Sequence, residues 1–319
     1  MNTSWDWNEL AFSSKKSVNE LLATFIAAPR ELSVARFTQL VTEYLPKGNI
    51  VLGLAKEDHV LGLENQPQFR MLTAATVQSV INKVNSSKTP YKIYTLAYAQ
   101  RDTVYLLEKL RFRSVVWVNG SWYRAFHLRP EFYALAKQRI EYRLVSPFAS
   151  EQEARNYAQA TKLSDLPIQG VFSEQRMLEV VAQAATHSYA YSEFQTAVAV
   201  GRKSARKYEL LFTTHNQIVP FETYAMHYGA AREANFSPMN DLNHYDAVHA
   251  ETVMLVQAQK HNVNLAGSTM FINLLPCPAC ARMLSQTDVA EFVYREDHSD
   301  GYAVKMLELT GKIVRRLVP

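Results

Sequence analysis

Cysteine is almost absent from this chain. Its 319 residues hold two, Cys277 and Cys280, three positions apart in "LLPCPACARML". So small a count argues against a disulfide framework. The N-terminal stretch "MNTSWDWNELAFSSKKSVNELL" also lacks the basic start and apolar run of a secretory signal, and together these predict a reducing, cytoplasmic setting. Long apolar runs are missing too: none approaches about twenty residues, so no spanning helix is expected. What remains is an ordinary soluble globular composition, 48% hydrophobic and 20% charged. The length is comfortable for two domains.

The net charge of +4 conceals an asymmetry. Residues 1–147 carry 19 Lys and Arg against 12 Asp and Glu, whereas residues 148–319 carry 15 against 18. Two readings stand: drift between two solvated surfaces, or a basic first half that faces a polyanion or a phosphate.

Apolar spacing of three and four predicts helices in "SVNELLATFIAA" and "SVARFTQLVTEYL". "NIVLGLAKE" and "HVLGLENQ" read as a β-hairpin. "MLTAATVQSVINKVN", "YKIYTLAYA", "RDTVYLLEKLRF" and "SVVWVNG" then alternate helix and strand. From about 128 to 170 the chain reads as helical and mixed, including "PEFYALAKQRIEYRL", and ends in the linker-like "KLSDLPIQG". The second half repeats the order, opening on a helix capped by Ser173. "TAATV" lies over "HAETV", and the segments ending in "SVVWV" and "EFVYR" align likewise. On this alignment Thr73, Ala75, Gln100 and Thr103 stand where the second copy has His249, Glu251, Cys277 and Cys280. The expected fold is therefore α/β, a tandem of α/β/α domains, each a mixed five-stranded sheet flanked by helices. Residues 1–147 form the first domain, 148–172 a linker and 173–319 the second domain.

A Cys-x-x-Cys pair alone could be a redox dithiol, a metal clip or an accident of a buried core. Its surroundings favour the metal. Pro276 and Pro278 fix the backbone, and the helix that begins here turns free N–H groups and a positive dipole end toward both sulfurs. Upstream, His249-Ala-Glu251 opens another helix. Two positions apart, these side chains diverge by about 200°, so the histidine can bind a metal while the glutamate works beside it as acid and base. Three protein ligands leave one position open, the catalytic rather than the structural pattern for zinc.

His-x-Glu followed by Pro-Cys-x-x-Cys resembles the signature of the zinc-dependent nucleobase deaminases, the cytidine deaminase-like superfamily. The resemblance covers residues 173 to 319 directly and the first half only through the repeat. "VYREDHSDGYAVKMLELTGKIV" is most similar to deoxycytidylate deaminases, and the pattern as a whole also resembles a group of predicted bacterial nucleotide deaminases with a degenerate first domain. The resemblance implies that His249, Cys277 and Cys280 bind one Zn2+ per chain, that the metal activates a water, and that Glu251 moves the protons. It implies hydrolytic deamination at C4 of a cytosine (or C6 of an adenine) and makes the first domain a pseudo-enzyme. The chain departs from the pattern in one place: the asparagine turn expected upstream is replaced by "ETYAMHYGAAREANFSPMNDLNHYD". Asn235, Asn240, Asn243, His244 and His298 are left as substrate-binding candidates, and Tyr189 and Tyr191 as a lid or as surface aromatics. Three functions compete: deaminase of a free cytosine nucleotide (dCMP or CMP type), base deaminase on a nucleic acid such as tRNA, and non-catalytic zinc-binding module. A homo-oligomer is a further expected partner state.

Overall fold

The computed structural model describes residues 3–12, 21–238, 241 and 243–318. The chain divides into two compact units. The first comprises residues 1–161, 191–193 and 223–245; the second comprises 162–190, 194–222 and 246–319.

The first unit is built on β1 (Ser4–Asp6), β2 (Thr24–Ala27), β3 (Ile50–Ala55), β4 (Ile93–Tyr98), β5 (Ser114–Val118) and β6 (Glu141–Val145), paired in the order β1-β4-β3-β2-β5-β6. Every pairing is parallel. Its helices are α1 (Trp7–Phe12), α2 (Val34–Tyr44), α3 (Ala74–Ser86), α4 (Thr103–Lys109), α5 (Pro130–Gln138) and α6 (Glu151–Ala160). Phe37, Leu40 and Val41 of α2 and Val77 and Ile81 of α3 pack on Ile26, Ile50, Leu52, Ile93 and Val116. Side chains one residue along each strand point to the opposite face, where Phe25 stacks on Phe112 at 4.5 Å.

The second unit holds β7 (Val171–Phe172), β8 (Ala197–Ser204), β9 (Lys207–His215), β12 (Thr269–Leu274), β13 (Glu291–Glu296) and β14 (Ile313–Arg316), in the order β14-β13-β12-β8-β9-β7. This sheet is mixed. β12, β13 and β14 run parallel, while β8 is antiparallel to β12 and β9. A separate two-stranded ribbon pairs β10 (Gln217–Ile218) with β11 (Ala247–Val248). Helix α7 (Glu174–Ala185) covers one face through Met177, Leu178 and Val181. Ser173 caps it as expected, accepting from the Arg176 amide at 3.2 Å. In sequence between the two ribbon strands come the short α8 (Tyr224–Tyr228) and α9 (Ala231–Ala234), which belong to the first unit. Helices α10 (Ala250–Lys260), α11 (Pro278–Ser285) and α12 (Tyr302–Glu308) cover the other face through Met254, Leu284 and Leu307.

Both halves are thus α/β with helix-flanked sheets, but six-stranded where five strands are expected, and the pairing is not repeated. β12 and β13 are neighbours; their aligned counterparts β4 and β5 are separated by β3 and β2. Several local expectations change with it. "TFIA" is a strand rather than a helix because Phe25, Ile26 and Ala27 are buried on both faces, the mark of a central parallel strand. "HVLGL" forms no hairpin strand; β3 pairs with β2 and β4 instead. "EYRLV" leaves its helical neighbourhood to become β6. The expected linker 148–172 contains α6 and β7.

The segment 223–245, though late in sequence, belongs to the first unit. Its Glu233 is buried and accepts from Trp122 Nε1 at 3.0 Å and from the Phe126 amide, with His127 Nδ1 at 3.4 Å. Arg232 holds the turn that follows by donating to the Pro238 and Asp241 carbonyls. The basic excess of residues 1–147 shrinks accordingly. Adding Glu151, Glu153, Glu193, Glu233 and Asp241 against Arg155 and Arg232 takes the unit from +7 to +4. A Glu233→Ala variant leaves the Trp122 and Phe126 N–H groups buried without their acceptor. It should destabilise the first unit by about 3 kcal/mol. A lowered thermal transition, with faster amide exchange in 223–238, is the expected result.

Candidate metal centre

Strand β12 ends at Leu274 and the chain turns through Leu275-Pro276 into Cys277. The Leu275 amide donates to the Glu296 carbonyl at the end of β13 (2.8 Å), which fixes the turn at the carboxyl end of these two parallel strands. Cys277 then caps α11, its Sγ accepting from the Cys280 amide at 3.4 Å. Pro278 takes the first helical position, where a missing N–H costs nothing. The second approach comes through the ribbon: β11 delivers His249 as the extended residue preceding α10. The Thr214 hydroxyl at the end of β9 donates to the Ala250 carbonyl at 3.0 Å, pinning the first turn of that helix.

The result is a convergence of donors. His249 Nδ1 lies 3.6 Å from Cys277 Sγ and 3.5 Å from Cys280 Sγ, and the three donor atoms lie within 4.8 Å of one another. For a tetrahedral ion with metal–sulfur and metal–nitrogen bonds of about 2.3 and 2.05 Å, the sulfur–nitrogen separation is roughly 3.6 Å. The donor set and its spacing therefore fit a single Zn2+. Among the described residues this is the one group of three or more such side chains so gathered.

The electrostatics agree. Cys277 is held well below the usual thiol range, chiefly because the Cys280 thiol donates to it, with His249 and the Cys280 amide helping against the opposing effect of burial. Cys280 is pushed up for the complementary reason: it carries the proton its neighbour has lost. The pair behaves as one thiolate and one shared proton, and a metal that binds both sulfurs releases that proton. Glu251, on the first turn of α10, is 2% exposed. Burial raises its carboxyl to about 7, the Cys277 charge adding to the effect while its own backbone amide and His249 oppose it. Near neutral pH such a group can both give and take a proton.

Of the other expected site residues, few are placed with this centre. His298 lies in the turn after β13, exposed, its ring tilted on Phe194 at 5.6 Å. Asn235 is exposed and donates to the Ala231 carbonyl. Asn243 is exposed, its amide bound to Asp241. His244 Nδ1 meets Asp241 and Ser237 Oγ, and Asp241 is pulled down to about 2 by the Asn243 amide and His244. These three belong to the segment folded with the first unit, not to the unit that holds the metal ligands. Asn240 lies outside the described residues. Tyr189 and Tyr191 are buried, at 4% and 1% exposed, and so are not surface aromatics.

Two residues escaped the sequence reading. Thr214 positions α10, and buried Asn216 clamps the chain by accepting from the Thr196 amide and donating to the Phe194 carbonyl. The signal available was "TTHN", a polar cluster closing a strand, which periodicity alone does not separate from a loop.

Comparison with known proteins places this geometry. Residues 172–296 match the family model described as the cytidine and deoxycytidylate deaminase zinc-binding region. The deoxycytidylate deaminases of Enterobacteria phages T2 and T4 are each 33% identical over 51 residues, 16% of this chain. The match spans about a quarter of those relatives, 27% and 26% of their lengths. Among solved structures, a dCMP deaminase from the cyanophage S-TIM5 is 18% identical, covering 45% of this chain and 95% of its own, with a TM-score of 0.32. A guanine deaminase from Nitrosomonas europaea is 15% identical, covering 51% and 83%, with a TM-score of 0.31. Over residues 172–296 the chain is thus similar to the zinc-binding region of the cytidine and deoxycytidylate deaminases.

The full chain should purify with close to one zinc. Cys277→Ala and His249→Ala should each lower that content severalfold, because each removes one of three donors. Metal analysis of the three proteins side by side checks this, and a value near two zinc ions in the parent would contradict the single centre.

Proposed function

We propose that the second unit is a hydrolytic deaminase that converts the cytosine of a free nucleotide, of the dCMP or CMP type, to uracil with release of ammonia. The observation that carries the reading is the burial of Glu251 two residues from His249 of a His-Cys-Cys donor set. A purely structural metal clip has no use for an ionisable carboxylate held at 2% exposure, and burying one without a task is costly. The family match and the phage relatives point to the same chemistry.

His249, Cys277 and Cys280 would hold the zinc, which when bound supplies Lewis acidity and lowers the pKa of water toward neutrality. Glu251 takes the proton of the attacking water and delivers it to N3 of the pyrimidine. Water oxygen adds at C4, and the same carboxyl passes the remaining proton of that oxygen to the amino group, which leaves as ammonia as the C4 carbonyl forms. A carboxyl with a pKa near 7 suits both halves of that exchange. The capping amide of Cys280 and the pin from Thr214 keep the two helix ends in register while the proton moves.

Ammonia release from zinc-loaded protein, screened against dCMP, CMP, cytidine, cytosine, AMP and tRNA, tests the substrate class. Turnover of dCMP or CMP supports the proposal, and turnover confined to tRNA would replace it with the nucleic-acid reading. Glu251→Ala should keep its zinc and its melting temperature while turnover falls at least about 10³-fold, more than the 10²–10⁴ of a typical single acid–base group would require at its lower end. Loss of zinc from that variant would show that Glu251 is a ligand instead.

A further inference from the structure

Two helices of the first unit carry the same outward face. α4 leads into β5 and α5 into β6. Their sequences correspond position by position, "TVYLLEKLRF" from Thr103 over "EFYALAKQRI" from Glu131. The buried positions match: Thr103, Leu106 and Leu107 in the first run, Glu131, Ala134 and Leu135 in the second. So do the exposed ones. Tyr105 and Lys109 face solvent from α4, Tyr133 and Lys137 from α5, and each tyrosine stands one turn before its lysine on the same side of the helix. Arg111 and Arg139 follow, both exposed.

The topology sets these two rows side by side. Both helices cross between parallel strands in the same direction along the sheet, β4 to β5 and then β5 to β6. Right-handed crossovers therefore place them on one face, pointing the same way. They touch: Gln138 Nε2 of α5 donates to the Leu107 carbonyl of α4 at 2.8 Å. β5 and β6 start in register, Ser114 opposite Glu141, so the helix ends that lead into them lie together.

The result is a surface with two tyrosines, 62% and 60% exposed, and beyond them Lys109, Arg111, Lys137 and Arg139. Acids nearby are fewer. Glu108 and Glu141 are exposed, Asp102 lies 4.0 Å from Arg101, and Glu131 is buried against Arg129. Cations in the last turn of a helix complement its dipole. That role is indifferent to tyrosine and gives no reason for a large ring left in water on each helix.

An occupant of this face needs spaced negative charge and flat groups that stack. A second copy of the chain would set cations against cations. An acidic peptide meets the charge alone. A lipid surface is gripped by inserted apolar side chains, and no exposed Leu, Ile, Phe or Trp stands on α4 or α5. Single-stranded nucleic acid supplies both needs, phosphates for Lys and Arg and unpaired bases for the phenol rings.

We propose that the α4–α5 face binds single-stranded nucleic acid, with Tyr105 and Tyr133 stacking on bases and Lys109, Arg111, Lys137 and Arg139 on phosphates. The face lies wholly in the first unit and is independent of the reaction assigned to the metal centre.

The full-length, zinc-loaded chain is titrated into labelled oligo(U) and oligo(dT) of about 15 nucleotides, with fluorescence anisotropy read across a salt series. Four cations on phosphates should give a slope of log K against log salt of about −3. Lys109→Glu combined with Lys137→Glu should weaken binding about tenfold or more and flatten that slope by about 1.4. Tyr105→Ala combined with Tyr133→Ala should also weaken binding about tenfold or more, with the slope unchanged. All four side chains are exposed, so both variants should melt with the parent. No binding at low salt overturns the proposal, as does binding that neither pair of substitutions alters. Loss in the charge-reversed protein with full binding in the tyrosine pair shows a face that reads charge alone and overturns it as well; phosphatidylserine vesicles and polyglutamate then separate a lipid surface from an acidic peptide.

Discussion

The site depends on two helices that must begin at one point. Neither α10 nor α11 contributes a complete donor set. Cys277 and Cys280 come from the first turn of one, and His249 and Glu251 from the start of the other. A hydrogen bond from a strand or turn of the second unit helps hold each end: the Leu275 amide on the Glu296 carbonyl, and Thr214 on the Ala250 carbonyl. Two positive helix ends aimed at one spot repel one another unless negative charge lies between them. The Cys277 thiolate supplies it. The same arrangement explains why Cys277, rather than a serine or aspartate, caps α11: one sulfur satisfies the helix and remains available as a donor.

How much of this was legible in the sequence follows from the range of the interactions involved. The donor set was readable because its parts are local: a three-residue spacing on one turn and a two-residue spacing on another. Capping by Ser173 and helices α2, α3, α7 and α10 were readable for the same reason. Of the strands that failed, β2 is buried on both faces, and β6, half exposed, was absorbed by the helix before it. "TFIA" has no period of two, because in a central parallel strand every side chain is apolar, and neighbouring residues of helical spacing absorbed it. Strand order failed too. β4 and β5 follow one another in sequence as β12 and β13 do, yet only the latter two pair. Long-range parallel pairing leaves little trace in a local pattern.

The substrate candidates rest on a different premise, proximity in sequence. Asn235, Asn243 and His244 stand within fifteen residues of His249, yet their segment is committed to the first unit by Glu233 and Arg232. The charge asymmetry rested on the same assumption. A boundary drawn through residue 147 put the basic residues on one side and the acids that fold with them on the other.

The interleaving of the units has a consequence for biogenesis. The first unit takes residues from three stretches of chain, the last ending at 245, and the second unit is likewise discontinuous. On a translating ribosome most domains fold as they emerge, N-terminal first. Here the parallel sheet is complete by residue 145, while the carboxylate that caps Trp122 and Phe126 arrives nearly ninety residues later, after β8, β9 and β10 have been made. The nascent first unit therefore passes through an interval in which its sheet is formed but a buried part of its periphery is not yet synthesised. The rate at which β8 to β10 leave the exit tunnel sets how long that interval lasts.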